Sequence, residues 1–570
     1  MNGTPHTLLA NLNLLASAPE GVARLRELIL TLAVQGKLVP QDPNDEPASE
    51  LLKKIRAEKN RLIAEGKIKR DKPLAEIKKE ETPITLPAGW EWVRLNALLQ
   101  KIGAGSTPLG GKAVYAPTGV KFLRSQNVWN DGLRLEGVAF IKPETHARMA
   151  STTVFPNDLL FNITGASIGR CAVVPRDFDE ANVSQHVTIV RAVLPALNAF
   201  LHKVLVSRHV QQTVMDVQVG VSREGLSIAK LGDFLIPFPP LAEQARIVAR
   251  VEELMRLCDA LEAKGRLEAT QHAQLVATLL TGLTDCATAE ELAEHWQRVA
   301  EHFDLLFDRP EAVDALEQTI LQLAVRGLLV PQDLTEEPAI ELLKKIRAEK
   351  SRLITEGKIK RDKPLPPIAE DERPFELPQG WEWVRLRDLV THLGDGLHGT
   401  PNYSRDGAYH FVNGNNLRDG AIVIKPETKR VDRTEFEKYK KPLDATTVLL
   451  SINGTLGNVA FYGGEQVVLG KSACYFNLTS GLAKSFLRTL LECPDFLSYA
   501  TASATGSTIK NLGLKAIGDW PIALPPLAEQ SRIVARVASL RALCADLRQR
   551  LTAARDTQAQ LSEALVAKVS

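Results

Sequence analysis

Few residues in this chain have the types and spacing that chemistry needs. Gly103-Ala104-Gly105 and Gly110-Gly111-Lys112 have the composition of a phosphate-cradling loop. Residues 105–113, however, read GSTPLGGKA, with an extra glycine before the lysine and alanine after it, so G-x-x-x-x-G-K-[ST] is not met. No G-x-G-x-x-G falls between a strand and a helix, and no H-E-x-x-H occurs among the scattered histidines. The Asp/Asn-Pro-Pro-aromatic tetrapeptide of amino-group methyltransferases is absent. The nearest strings are Pro237-Phe238-Pro239-Pro240 and Leu524-Pro525-Pro526. Glu435-Phe436-Glu437-Lys438 is a string that a chain with 24% charged residues yields by chance. Six cysteines (Cys171, Cys258, Cys286, Cys474, Cys493, Cys544) make no C-x-x-C pair, which disfavours a zinc cluster and a disulfide framework. The residues point away from catalysis and towards binding.

The elements that must position any binding residues are written twice. Residues 50–72 and 341–363 match at 21 of 23 positions, differing only at Asn60/Ser351 and Ala64/Thr355. The same offset aligns ILTLAVQGKLVPQD (29–42) with ILQLAVRGLLVPQD (320–333), and LPAGWEWVRL (86–95) with LPQGWEWVRL (377–386). PPLAEQARIVAR (239–250) returns as PPLAEQSRIVAR (525–536) at a slightly different offset. Between the Trp block and the PPLAEQ block the copies diverge. The chain therefore reads as two tandem units, about 11–301 and 302–570, each a frame carrying a variable insert, 96–236 and 387–522.

The 50–72 block reads as an amphipathic helix with Leu51, Leu52, Ile55, Leu62 and Ile63 on its apolar side, Pro47 near its start and Gly66 at its stop. Its cationic face suits solvent, a partner subunit or DNA phosphates. After each double proline a long helix begins. Ile247, Val251, Leu254, Cys258 and Leu261, continued through Gly265, Glu268 and His272 to Leu275 and Leu279, alternate by four and three. Ile533, Val537, Leu540, Cys544, Leu547 and Leu551, continued through Ala554 and Gln558 to Leu561 and Leu565, do the same. These predict coiled-coil seams with a weak middle, and both cysteines in the core. Trp90, Trp92 and Arg94 share one strand face, as do Trp381, Trp383 and Arg385. Being the same in both units they cannot encode two readings, so they read as packing residues. The inserts carry strand-like runs at 120–128, 158–164, 186–193, 409–414 and 447–453, separated by Gly- and Asn-rich turns.

Length and charge bound the rest. At 570 residues the chain holds several domains, and 44% apolar content excludes long disorder. A net charge of +2 excludes a polycation, so nucleic-acid binding must come from local patches. The opening MNGTPHTLLANLNLL lacks a basic leader, and the longest charge-free stretch, 445–464, is a strand–turn–strand pattern too polar for a membrane span. The expected location is the cytoplasm.

Two divergent inserts on a duplicated frame, with PPLAEQ-x-R-I-V opening each long helix, resemble the specificity subunit of type I restriction–modification systems. AGSTP (104–108) is similar to the Gly-Ser-Thr-Pro opening of that family's recognition domains, and GDGLHGTPNY (394–403) to a Gly-Asp-Gly variant of it. NITGASIGR (162–170) and SINGTLGNV (451–459) resemble its central strand–turn. The long N-terminal frame copy, 11–85, departs from shorter members and resembles a longer-subunit branch. The resemblance implies two α/β target-recognition domains joined by long helices in an antiparallel coiled coil, a pseudo-two-fold repeat. The boundaries expected are a helical frame at 1–85, recognition domains at 86–238 and 377–524, a central frame at 239–376, and a C-terminal helix at 525–570.

The resemblance also implies a subunit that is not an enzyme. It would bind double-stranded DNA and read a bipartite asymmetric target. Two modification subunits would supply S-adenosylmethionine-dependent adenine N6 methylation, and restriction subunits ATP- and Mg-dependent translocation and cleavage. No cofactor is expected on this chain. Major-groove readers on one DNA face would sit about one turn, ~34 Å, apart. Candidate DNA contacts in the first insert are Ser106, Thr107, Lys112, Arg124, Gln126, Asn127, Ser222 and Arg223. In the second they are His398, Thr400, Asn402, Arg405, Asn413, Asn415, Arg418, Ser507, Thr508 and Lys510. Arginine can grip guanine, and asparagine or glutamine adenine. Two other readings compete: a methyltransferase–recognition fusion, and a coiled-coil adaptor without sequence specificity.

Overall fold

A computed structural model describes residues 18–70, 72–219, 225–506 and 509–569. Contacts divide the chain into two compact units, 1–267 with 555–570, and 268–554. These do not coincide with the sequence repeats, because each long helix starts in one unit and ends in the other.

In the first unit the frame comprises helices α1 (Gly21–Val34), α2 (Ala48–Ala64) and the start of α3 (Leu241–Thr284). In the second it comprises α4 (Pro310–Val325), α5 (Ala339–Thr355) and the start of α6 (Leu527–Val569). Helix α2 buries Leu51, Ile55 and Leu62 on one face and leaves Lys53, Lys54 and Arg56 exposed, as helical spacing predicts. The helix closes at Gly66, whose φ is 69°, with the Lys67 N–H donating to the Leu62 carbonyl (2.9 Å).

The repeated blocks meet at one buried knot. Trp90 Nε1 donates to Glu243 Oε2 (3.0 Å), and Gln41 Nε2 donates to Glu243 Oε1 (3.2 Å) and to the Gly36 carbonyl (2.6 Å). In the second unit Trp381 donates to Glu529 (3.0 Å), as does Gln332 (3.0 Å). Burial pushes both carboxyl groups up while the donors hold them down. Trp90, Gln41 and Glu243 come from three of the four matched blocks, so satisfying that carboxylate ties those three to one another. Arg94 and Arg385 are buried too, paired with Glu81 (3.2 Å) and Glu372 (2.9 Å). The packing role expected of these tryptophans and arginines is what the geometry gives.

The long helices depart from a strict heptad. Ile247, Val251 and Cys258 are buried against α1, but 262–271 is exposed throughout. Farther on, Val276, Leu280 and Leu283 are buried in the second unit with Leu316 and Ile320, while the seam residue Leu275 is 52% exposed. In α6, Ile533, Val537 and Cys544 are buried, yet Leu561 is 48% exposed and Ser562 is buried. A straight helix drifts by roughly 20° per heptad, which shifts the buried stripe by one residue over this length. In α3 the burial thus forms separate clusters towards the two ends, and the exposed stretch between them falls where the seam holds Gly265 and Glu268 and was expected to be weak. Among the described residues no helix is long and apolar enough to cross a membrane.

Each insert is held at its neck by a two-stranded antiparallel ribbon, Glu91–Arg94 with Leu235–Phe238, and Glu382–Arg385 with Pro521–Leu524. The first insert has an antiparallel sheet ordered Cys171–Val173, Leu159–Asn162, Val187–Ala192, Leu99–Ala104. A second sheet is ordered Tyr115–Ala116, Ala139–Ile141, Val120–Leu123, Ala181–Val183, Thr153–Val154. The second insert repeats the first sheet with Val459–Phe461, Thr447–Ser451, Ala473–Leu478 and Val390–Asp395. All five strand-like runs contain strands, and 445–464 is the expected strand–turn–strand.

One histidine makes the first insert acid-sensitive. His202 is buried, its Nε2–H donating to the Cys171 carbonyl (2.9 Å), and burial next to Lys203 holds its pKa down to about 4. The folded value lies below the unfolded one, about 6.5, so stability is fully present above pH 6.5 and is lost as pH falls towards 4. The expected loss is about 3 kcal/mol. Urea midpoints across that window should show it, and His202→Gln should flatten the dependence. An unchanged slope in the variant would place the acid sensitivity elsewhere.

Candidate nucleic-acid interface

Strand register decides which loops can act together. In the first insert Val187 pairs with Asn162 and Thr188 with Ala104, while Ala181–Val183 runs parallel to Val120–Leu123. The strand ends at Ala104, Leu123, Asn162 and Val183 therefore meet at one edge. Their loops are laced together. Gly105 N–H donates to Val187 O (2.9 Å), Ser106 N–H to Val183 O (3.2 Å), Ser184 N–H to Leu123 O (2.9 Å) and Asn162 Nδ2 to Ser125 O (2.9 Å).

On that edge four side chains form a chain. Thr107 Oγ1 donates to Gln185 Oε1 (3.2 Å), Gln185 Nε2 lies 3.5 Å from His186 Nε2, and His186 Nδ1 lies 2.6 Å from Thr164 Oγ1. The pattern fits the tautomer with hydrogen on Nδ1, giving a ready-ordered row of donors and acceptors. Ser106 and Gln126 are exposed beside it and Arg124 is half-buried. Asn127 is different. It is 1% exposed, its Oδ1 accepts from the Arg124 N–H (2.9 Å) and its Nδ2 donates to Arg134 O (2.8 Å), so it locks the 124–127 turn and cannot face a base. The side chain of Lys112, and Ser222 and Arg223, lie outside the described residues. The chain after them returns to this edge, Leu226 N–H donating to Ile163 O (2.8 Å).

The second insert builds the same edge from other residues. Val467–Leu469 runs parallel to His410–Val412, and the Ala473–Leu478 strand starts where Asp395 and Ser451 end. Asn413 Oδ1 accepts from Ser472 Oγ (3.1 Å), which in turn accepts from the Gly414 N–H (2.9 Å). Asn415 is the exposed apex of the turn, and the buried Asn416 plays the locking role of Asn127. His398 Nε2 meets Asp395 at 2.5 Å, and Lys510 reaches the edge through its carbonyl, which accepts from Gly454 N–H (3.1 Å). Thr400 is exposed on the connecting segment, and Arg418 on the hairpin after the turn.

Two candidates are placed otherwise. Asn402 is tied down, its N–H (2.9 Å) and Nδ2 (3.4 Å) both donating to Glu435, so that carboxylate in a string dismissed as chance is a buried anchor. Arg405 sits in the turn beside Arg430 and Val431, at the start of the Tyr409–Val412 strand and not at its end. Ser507 and Thr508 lie outside the described residues. Edge residues missed in the sequence are Thr164, Gln185 and His186, and Asn453, Lys471, Ser472 and Asn511. Their only signal was position: all but Asn511 lie just after a short strand or just before the next.

Corresponding positions thus carry Thr107, Gln185 and Thr164 in one insert and His398, Lys471 and Asn453 in the other. One scaffold with two different polar edges defines a class of protein: a duplicated frame presenting two recognition heads of unlike chemistry. The family model for the type I restriction modification DNA specificity domain matches residues 87–271 and 378–554. The chain is 37% identical to the type I restriction enzyme EcoAI specificity subunit of Escherichia coli, over 96% of this chain and 93% of that one, and 35% identical to the EcoEI specificity subunit over the same shares. A solved chain from a type I R-M system assembly aligns with 85% of this chain and 99% of its own length, at 20% identity and a TM-score of 0.44. The chain belongs to the type I restriction–modification DNA specificity family, as a specificity subunit with two target-recognition domains.

Proposed function

We propose that the two edges read the two parts of a bipartite, asymmetric DNA target through the major groove, residues 86–238 forming one reader and 377–524 the other. The helical segments 1–85, 239–376 and 525–570 are the frame. The observation that carries this is the pair of laced edges, alike in backbone and unlike in side chains. Readers of one repeated sequence would carry matched residues, and an adaptor without sequence preference would have no need of two different polar rows. The frame, matched in both copies, suits two equivalent partners, which we take to be two modification subunits, with restriction subunits joining them. In this reading the chain is not itself catalytic and works in the cytoplasm, and S-adenosylmethionine, ATP and Mg2+ are used by the partners.

The test is methylome sequencing of cells carrying the complete system. The expected result is adenine methylation within one motif of two short defined parts flanking a fixed run of unspecified bases. A continuous motif, or a palindrome with identical halves, would overturn the reading. S-adenosylmethionine binding by the isolated chain would favour the fusion reading instead.

A further inference from the structure

The first recognition domain holds a group that neither the frame nor the edge accounts for. Two guanidinium groups lie on one indole ring: the Cζ atoms of Arg134 and Arg170 are each 3.7 Å from the Trp129 ring centroid. Trp129 is fixed in turn by its Nε1–H, which donates to the Gln126 carbonyl (2.9 Å). Arg170 is placed from the other side, its carbonyl accepting from the Asn162 N–H (2.9 Å), and Arg134 N–H donates to the Asn127 carbonyl (2.9 Å). The cluster is therefore bolted to the 124–127 turn and to the end of the Leu159–Asn162 strand, beside the polar row.

Its charge is not balanced. Arg134 faces Asp131 at 3.3 Å, but both are well exposed, so that pair is weak. Arg170 makes no ion pair with any carboxylate among the described residues. Two cations gathered on one ring repel each other, and a site that keeps them there is suited to an anion that accepts several hydrogen bonds at once. A guanidinium held over an aromatic ring keeps N–H groups available at the rim, in the fork that matches phosphate oxygens. Among the described residues the second domain has no counterpart at these positions, since Arg418 stands where Trp129 does and Asn458 where Arg170 does.

We infer that Arg134 and Arg170, ordered by Trp129, form a clamp on the DNA phosphate backbone, present in the first recognition domain alone. This rests on the first domain being a DNA reader. The clamp positions the duplex against the row Thr107–Gln185–His186–Thr164 without reading sequence, and it makes the grip of the two domains unequal.

The experiment uses the complex with its modification subunits and two duplexes, one carrying the motif found by methylome sequencing and one scrambled. Affinity is measured against salt concentration. The double variant Arg134→Gln/Arg170→Gln should lower the log–log salt slope by about 2, since each lost phosphate contact removes ~0.9. The loss should be alike on both duplexes, with base preference unchanged. Arg170→Lys, which keeps the charge and loses the stacked fork, should retain most of the slope, and it guards against a folding defect. An unaltered slope and affinity in the double variant would overturn the clamp. So would a loss confined to the motif duplex, which would make these arginines base readers. Failure of the unmodified complex to prefer the motif duplex would instead overturn the functional reading on which the clamp rests.

Discussion

Exchanging residues 96–236 for the matching stretch of a relative with another target is expected to rewrite one half of the methylated motif and leave the other half intact. The neck explains why the exchange is feasible. The first insert leaves and rejoins the frame through the ribbon Glu91–Arg94 with Leu235–Phe238, whose residues pair one to one, and the anchors Trp90 and Arg94 lie on the frame side of the junction. The constraint lies in the core. Phe200, Leu201, Val204, Val210 and Val214 from the insert are buried in the same cluster as Leu25, Ile29 and Trp90 from the frame. A donor whose helices keep the volumes at those positions should dock, and one that enlarges them should cost about 1–3 kcal/mol in overpacking. Specific sites are typically bound ~10^3–10^7 tighter than other DNA, so an exchange that works moves methylation wholly to the new motif. Methylome sequencing reads the result directly. A change in both halves would mean that the two domains do not read independently.

The frame was legible in the sequence because duplication is visible without a structure. Four matched blocks pointed to one repeated object, and the knot of Trp90, Gln41 and Glu243 gives a physical reason for three of them to match: a buried carboxylate tolerates no unpaired partner. Strands were legible from β-branched runs such as VTIVRA at 187–192. The edges were half legible. Thr107 and Asn413 announced themselves through turn-rich motifs. Gln185, His186 and Lys471 did not, since they reach the edge only through a parallel pairing of distant strands, which periodicity does not encode. Asn127 was misjudged for the opposite reason: an asparagine in a loop looks like a base reader until its amide proves to be holding the loop closed. The heptad spacing located the long helices but not every buried position on them, because a 3.6-residue helix drifts from a seven-residue repeat, as exposed Leu275 beside buried Val276 shows.

A single methyl group should silence either edge. Gly105 begins the GSTP loop where it passes over the end of the Ala181–Val183 strand, and a Cβ there would sit 2.0 Å from the Val183 carbonyl oxygen and 2.4 Å from that of Ser184. The obstacle is backbone, which cannot swing aside as a side chain would. At Gly396 the second edge is built alike, with a Cβ 2.3 Å from the carbonyl oxygens of both Gly470 and Leu469. Gly105→Ala must lift the loop. That breaks the bonds from Gly105 to Val187 (2.9 Å) and from Ser106 to Val183 (3.2 Å) and draws Thr107 off Gln185. Overpacking of this kind costs about 1–3 kcal/mol, and each lost hydrogen bond about 1 kcal/mol more. Because ~1.4 kcal/mol is a tenfold change in binding, discrimination at the first half-site should fall at least tenfold. Discrimination at the second half-site should hold, since none of its residues has moved, and Gly396→Ala should give the converse. The measurement is competition binding by the assembled complex, using duplexes altered in one half-site at a time. Thr107→Val with Gln185→Ala, which leaves the backbone in place, separates a lost contact from a lost fold and should also weaken the first half-site alone. Normal discrimination by both Gly105→Ala and the double variant would mean that the first half-site is read somewhere other than this edge.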